Sequence, residues 1–139
     1  MKDLFQQLQE FAGVMDLGAP LSEEEAEKYA GRLPAPLLEL YKLFNGGEIF
    51  VPGTTIYGLT GQKDDVREIN QSGLREKFHF PEGYLVFARL NFGDLMLMRK
   101  DSPFQVLQWD HEADEEFNAW DSLEDWLREA IEDYWAENG

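Results

Sequence analysis

The sequence predicts helices packed against an antiparallel sheet, and two patterns carry that prediction. Apolar side chains recur at helical spacing near the amino terminus, in the stretch before residue 45 and again at the carboxyl end. Between them lie three strand-type segments, YLVFARL, DLMLMRK and FQVLQWD, which are separated only by short turns. Strands this close together run antiparallel, because a parallel crossover needs about a dozen residues or more. We expect a single domain over residues 1–139.

Two helices are predicted within residues 3–31. The first covers Asp3 to about Val14, and its inward face consists of apolar residues at helical spacing: Leu4, Leu8, Phe11 and Met15. The second helix is short and polar. Ser22 is a good N-cap for it, Glu25 completes a capping box, and the helix ends near Gly31.

The stretch LPAPLLELYKLFNGG predicts a third helix and its end. Its prolines suit a helix start, where amide donors are spare, and its inward face follows at Leu37, Leu40, Tyr41 and Phe44. Asn45-Gly46 then stops the helix. A phosphate-cradling loop is excluded at Gly46-Gly47, because the glycines lie between a helix and a strand and the next residue, Glu48, repels phosphate. The paired glycines therefore predict a sharp corner that turns the chain back against the helix.

The rest of the chain supplies further strands and helices. EIFV and TTIYGL predict two short strands, and DDVREINQSGLREKF predicts a helix that breaks at Gly73. A last helix, capped by Asp121 or Ser122, carries an acidic face opposite one wide apolar stripe: Leu123, Trp126, Leu127, Ala130, Ile131, Tyr134 and Trp135. We expect that stripe to belong to the core.

The charge of the chain is strongly negative and lopsided. Acids number 28 and bases 12, and the formal net charge is −16. Twelve of the acids but only one base, Arg128, lie from Asp110 onward. Direct binding of nucleic acid is not expected, since phosphate contacts need Lys and Arg. A face of one sign favours a basic protein partner and a monomeric state; an acidic surface that serves only solubility is the alternative.

The composition also narrows the chemistry and the compartment. The chain has no cysteine, which excludes disulfides, thiolate metal sites and a cysteine nucleophile. The amino terminus lacks the apolar core of a signal peptide. No apolar run approaches the ~18 residues that span a bilayer. We expect a cytoplasmic protein that makes no membrane contact.

The segment QWDHEADEE offers side chains that suit a metal or acid–base site at Asp110, His111 and Glu112. In an extended segment, however, Asp110 and Glu112 would share one face while His111 takes the other, and the only other histidine is His79. Asp94, in the turn FGD, is a further candidate carboxylate that a hairpin turn explains more simply. We predict no catalytic residue, metal or cofactor; an enzyme of unrecognised type that uses Asp110, His111 or Asp94 is an alternative.

Five motifs, taken in order, resemble the SUKH superfamily, which includes bacterial immunity proteins and the domain of a fungal cell-wall assembly regulator. The motifs are RLPAPLLELYKLFNGGEI, IYGL, YLVFARLNFGDLMLM, VLQWDHE and SLEDWLREAI, and together they cover the chain from about Leu33 to Ile131. The segment DDVREIN and the acid-rich tail fall on variable ground in such proteins. The resemblance implies an α+β domain with a mixed, mostly antiparallel sheet packed against several helices, and it brings no catalytic residues.

The resemblance also implies a function, namely a non-enzymatic protein-binding module that acts as an immunity protein and neutralises a cognate toxin. Nuclease toxins are commonly basic, so a strongly acidic inhibitor could occupy their phosphate-binding surface. An intracellular regulatory or scaffold protein like the fungal relative is the alternative. The residues predicted to bind the partner are five acids and one aromatic anchor: Asp110, Glu112, Asp114, Glu115, Glu116 and Trp120.

Overall fold

A computed structural model describes residues 2–10, 16–49, 53–59 and 65–138 of the chain. Within these residues there are six helices: α1 (Lys2–Gln9), α2 (Glu23–Glu27), α3 (Ala35–Leu43), α4 (Val66–Gln71), α5 (Leu74–Lys77) and α6 (Leu123–Asn138). The same residues form seven strands: β1 (Asp16–Leu17), β2 (Gly47–Ile49), β3 (Thr54–Ile56), β4 (Tyr84–Leu90), β5 (Leu95–Arg99), β6 (Val106–Asp110) and β7 (Glu115–Trp120). No helix in the described part of the chain combines the length and the apolar character needed to cross a membrane.

The strands form one sheet in the order β1 to β7, so each strand lies beside its neighbours in the sequence. All six pairings between the described strands are antiparallel. The fold is therefore α+β with an antiparallel meander, as the short turns predict. One end of this order is β7, which places part of the acid-rich carboxyl-terminal region on an edge strand.

The centre of the sheet is covered on both faces. Leu85–Ala88 in β4 and Leu95–Met98 in β5 are buried without interruption, although successive residues of a strand point to opposite faces. The helix α6 contributes to this cover, since the rings of Phe87 and Trp126 meet edge to face with their centroids 5.4 Å apart. Aromatic pairs of this geometry add about 0.5–1.5 kcal/mol beyond the area that they bury.

The predicted helices are present where the structure describes the chain, but two are shorter than predicted. The helix α1 ends at Gln9 rather than near Val14, and α2 ends at Glu27 rather than near Gly31. Leu4 and Leu8 of α1 are buried, whereas the predicted core residues Phe11 and Met15 lie outside the described residues. Ser22 caps α2 by accepting a hydrogen bond from the Glu25 amide at 3.1 Å. Ser122 does the same for α6, accepting from the Asp125 amide at 3.0 Å. One member of the predicted apolar stripe departs from the core, because Trp135 is 46% exposed.

The paired glycines form the predicted corner. Gly46 and Gly47 have φ angles of 75° and 126°, a region that residues with a Cβ rarely adopt. They also let backbones approach closely, since a Cβ on Gly46 would lie 2.6 Å from the amide nitrogen of Gly58. The Asn45 side chain locks the junction by accepting from the Leu59 amide at 2.7 Å and donating to the Leu59 carbonyl at 2.8 Å. The double glycine is thus explained by the junction between the end of α3 and the segment after β3.

Candidate protein-binding surface

The carboxyl end of β6 and the start of β7 are joined by a four-residue turn, residues 111–114, that Asp110 organises. Its Oδ1 atom accepts hydrogen bonds from the amides of Glu112 at 2.9 Å and Ala113 at 3.1 Å. The Asp110 carbonyl accepts from the Asp114 amide at 2.9 Å and closes the turn. Aspartate is favoured at such positions because its short carboxylate reaches amides two and three residues ahead. Asp110 therefore shapes the hairpin, and its side chain is half-buried.

Asp114 fastens this turn to the segment before β4. Its Oδ1 atom accepts from the His79 amide and from the indole nitrogen of Trp109, each at 2.9 Å, and its Oδ2 atom contacts His79 Nδ1. The hydrogen bonds from the His79 side chain and amide and from Trp109 lower the pKa of Asp114 to about 2. Asp114 has a φ angle of 55°, which Asp tolerates better than most residues.

Asp94 and His111 form a second pair, seventeen positions apart in the chain. Asp94 Oδ1 lies 2.6 Å from His111 Nδ1 and accepts from the His111 amide at 3.1 Å, while Oδ2 accepts from Gln108 Nε2 at 2.9 Å. Burial by itself would raise the pKa of Asp94, but the hydrogen bonds from His111 and Gln108 outweigh it and hold the pKa below its ordinary value. The buried carboxylate is thus held as an anion.

Gly93 makes the room that the His111 ring occupies. A Cβ on Gly93 would lie 2.9 Å from His111 Nε2 and 3.1 Å from the neighbouring ring carbons. The glycine also has a φ angle of 106°. The turn before β5 therefore requires glycine for two reasons, its backbone conformation and the ring packed on it.

Two exposed phenylalanines flank a cavity beside the Asp94–His111 pair. The cavity has a volume of about 260 Å³ and is lined by Phe92, Asp94, Gln108, Asp110, His111, Glu112 and Phe117. Phe92 is 59% and Phe117 66% exposed. Phe117 is the extra residue of a bulge, because Gln108 pairs with Asn118 while Trp109 pairs with Glu116. Bulges redirect side chains, which accounts for an aromatic ring that faces solvent.

The structure separates the sequence-predicted partner-binding residues into two groups. Asp110 and Asp114 are engaged in hydrogen bonds that hold the turn. Glu112, Glu115 and Glu116 are exposed, and no salt bridge joins any of these three to a Lys or Arg within the described residues.

Trp120, the predicted aromatic anchor, packs partly against the core. Its indole nitrogen donates a hydrogen bond to Glu129 Oε2 at 2.8 Å. The more exposed aromatic side chains of this region are Phe92 and Phe117, which the sequence reasoning did not single out. Phe92 lies two residues before Asp94 in the turn FGD, and Phe117 follows Glu115 and Glu116. An aromatic residue this close to acids is the signal by which a sequence could indicate them.

The cluster has the side-chain types of a metal or acid–base site. Three potential ligand atoms lie within 4.8 Å of one another, one each from Asp94, Asp110 and His111. Oxygen atoms of both carboxylates already accept backbone amides, and Asp94 orients His111 Nδ1. The described lining includes no Ser, Thr, Tyr or Lys that could serve as a nucleophile. The arrangement is that of fixed carboxylates beside aromatic rings.

A larger cavity of about 630 Å³ lies between α2, α3 and the β5–β6 turn. Apolar residues such as Leu33, Leu38 and Phe104 line much of it. Its charged lining is balanced, with three bases and three acids: Arg32, Lys42, Lys100, Glu27, Glu39 and Asp101. Lys42 is paired with both Glu39 and Glu23. The described lining of this cavity therefore carries no net charge.

Comparison with known proteins identifies a family that the chain matches. The model of the SMI1 / KNR4 family (SUKH-1) matches residues 22–129, which is more than three-quarters of the 139 residues. The matched range contains α2 to β7 and the first part of α6. No curated protein matches the chain.

Proposed function

The chain belongs to the SMI1 / KNR4 family (SUKH-1), and from that premise we propose that it is a non-enzymatic protein-binding module. Specifically, it is an immunity protein that neutralises a cognate basic toxin of the nuclease type. The partner's phosphate-binding surface would meet the carboxylates around the β6–β7 turn. A basic surface built to bind phosphate is complementary to such a patch.

The observation that carries the proposal is the set of exposed acids at this end of the sheet that no described Lys or Arg pairs with, although Glu112 Oε1 lies 3.9 Å from His111 Nε2. Glu112, Glu115 and Glu116 are exposed and have no Lys or Arg partner in the described part of the chain. Surface charges of one sign accelerate the encounter with an oppositely charged protein. Acids that were paired with neighbouring bases would cancel this effect.

The state of the remaining polar groups supports a binding role. Asp94 accepts a hydrogen bond from the His111 amide and so fixes the β6–β7 hairpin to the β4–β5 turn, whereas Asp110 accepts from the Glu112 amide within the hairpin itself. A binding surface benefits from side chains that are already fixed, because less conformational freedom is lost on association.

The first experiment is a capture from the native host with the tagged chain as bait, followed by mass spectrometry of the retained proteins. We expect a basic nuclease-type toxin, and we expect the neighbouring gene to encode a large secreted toxin. Retention of a signalling or cell-wall regulator, with no toxin gene nearby, would instead support the scaffold interpretation and overturn the immunity proposal.

The second experiment measures association kinetics with the captured protein. The rate constant kon should fall steeply with ionic strength, because exposed charges are screened within about 10 Å at 0.1 M salt. Reversal of Glu112, Glu115 and Glu116 to Lys should reduce kon by about ten-fold or more at low salt. These positions avoid Asp114, whose replacement would disturb the turn.

A matched control reverses three exposed acids in the amino-terminal part of the chain, namely Glu10, Glu24 and Glu27. It changes the net charge by the same amount, so a difference between the two triple variants reports on position rather than on total charge. Equal rates for the two variants would show that the patch around the β6–β7 turn has no special role.

A further inference from the structure

We infer that the cavity between Phe92 and Phe117 receives an arginine side chain of the basic protein partner. This inference rests on the proposed function, since it names the point at which that partner is held. The acids around the turn attract the partner over a distance, whereas this cavity would bind one of its side chains in contact.

The first line of support is the placement of the exposed aromatic rings. Among the described residues, the large apolar side chains that are exposed are Phe92, Phe117 and Trp135. Two of these, Phe92 and Phe117, line one cavity although 25 positions separate them in the chain. Aromatic residues that stay exposed and close together are typical of the contact centres of protein interfaces.

The second line of support is the charge of the cavity. Its described lining has three carboxylates, Asp94, Asp110 and Glu112, against one imidazole and no Lys or Arg. Asp94 is 5% exposed and is already fixed by Gln108 and His111. Among the described residues, its Oδ2 atom accepts a hydrogen bond from Gln108, and it can accept another. A cation entering the cavity would therefore meet fixed acceptors.

Together the exposed rings and the carboxylates of the cavity favour a guanidinium group as the bound cation. Aromatic faces attract cations, and a planar guanidinium can stack on a ring while it donates to carboxylates. The ammonium of lysine lacks both the plane and the fork of donors. The volume of about 260 Å³ is below the roughly 300–1,000 Å³ of typical small-molecule pockets. It suits one long side chain of a protein rather than a free metabolite.

The inference is tested first without the partner. We propose an NMR titration with the blocked tripeptide Gly-Arg-Gly and, in parallel, with blocked Gly-Lys-Gly. The expected result is a set of shifts confined to the Gln108 side-chain amide, the His111 amide and the Phe117 amide, several-fold larger at equal concentration for the arginine peptide. Shifts spread over the acids of α2 and α6, or equal shifts for the two peptides, would overturn the inference.

The captured partner provides the second test. Phe92→Ala and Phe117→Ala should each raise Kd about ten-fold or more through a faster dissociation rate, with kon nearly unchanged. Trp135→Ala is the matched control, because Trp135 is also an exposed aromatic side chain but lies on α6. All three side chains are exposed, so the variants should fold, which circular dichroism checks.

The two proposals can fail separately. If the phenylalanine variants bind like the wild type while the triple reversal of Glu112, Glu115 and Glu116 slows association, the arginine cavity is disproved and the proposed function stands. If no basic protein is retained, the proposed function fails, and an arginine cavity for that partner fails with it even if the peptide binds. Partner binding that depends on Phe92 and Phe117 and an arginine-selective titration together support both.

Discussion

At the scale of single residues, the candidate protein-binding surface depends on Gly93, which has no side chain. Gly93 leaves the space in which the His111 ring lies, and that ring places Nδ1 2.6 Å from Asp94. The pair in turn fixes the carboxylate that lines the cavity between Phe92 and Phe117. A turn that the sequence explains as a simple hairpin connection thus also positions the groups of the candidate site.

We predict that Gly93→Ala lowers the free energy of unfolding by about 1–3 kcal/mol, because a non-glycine residue is strained at this φ angle and its Cβ would also collide with His111. Urea denaturation monitored by tryptophan fluorescence measures the loss. Gly83→Ala is the matched control, since Gly83 has a φ angle of 85° but, apart from its chain neighbours, no heavy atom of the described residues lies within 4 Å of the position that a Cβ would take. Equal losses at the two positions would mean that contact with the His111 ring adds nothing.

At the scale of elements, Asp114 is the link that holds the β6–β7 hairpin against the segment leading into β4. It accepts hydrogen bonds from the backbone of His79 and from the side chain of Trp109. The strand β6 pairs with β5 and is largely buried, whereas β7 is an edge strand whose first five residues are exposed, so this link helps to hold the turn between the two strands. The exposed acids of β7 are presented from this fixed hairpin.

The depressed pKa of Asp114 gives a pH prediction for this link. Its folded-state pKa of about 2 lies below the ordinary value of 3.8, so the ionised carboxylate stabilises the fold at pH values above about 4. That contribution is lost as the pH falls through about 2. The difference in unfolding free energy between the wild type and Asp114→Asn should therefore be full near pH 5 and shrink toward pH 2.

The Asn variant is suited to this measurement because it keeps the shape of the side chain and tolerates the left-handed backbone. Urea denaturation at several pH values gives the difference directly, and other carboxylates affect both proteins alike. A difference that stays constant from pH 5 to pH 2 would show that the carboxylate charge of Asp114 does not contribute.

The helices and central strands could be predicted because their patterns are local. Ser22 and Ser122 cap helices, and β4 to β6 are apolar runs between turns. The strand β7 could not be predicted from periodicity, since its first five residues are exposed and show no alternation of apolar and polar positions. Its existence depends on pairing with β6, and β1 likewise depends on pairing with β2.

The candidate site was predicted in part for a related reason. The acids of the β6–β7 region could be singled out by composition, but the meeting of Asp94 and His111 follows from strand register. Leu95 pairs with Trp109, so the residue before β5 lies beside the residues that end β6. A sequence shows the two strands and the turn, whereas the register emerges only when the sheet is packed.

At the scale of the whole molecule, the net charge of −16 lowers the stability of the folded state. Like charges repel in the compact state, and few bases are present to offset them. The ion pairs that Lys28, Lys42 and Arg128 form with nearby acids lie at the surface, where such a pair contributes only about 0–1 kcal/mol. The repulsion among acids should therefore exceed the attraction within these pairs.

We predict that sodium chloride raises the thermal midpoint Tm by a few degrees between about 20 mM and about 500 mM, because the Debye length shortens from over 20 Å to about 4 Å. Differential scanning calorimetry measures the change. The triple variant Glu115→Gln, Glu116→Gln and Glu132→Gln removes three exposed acids without adding bases. It should show a higher Tm at low salt and a weaker dependence on salt. A Tm that falls as salt is added would instead show that attraction within the ion pairs outweighs repulsion among the acids. The acids would then be largely neutralised in the folded chain and unable to attract a basic partner over a distance.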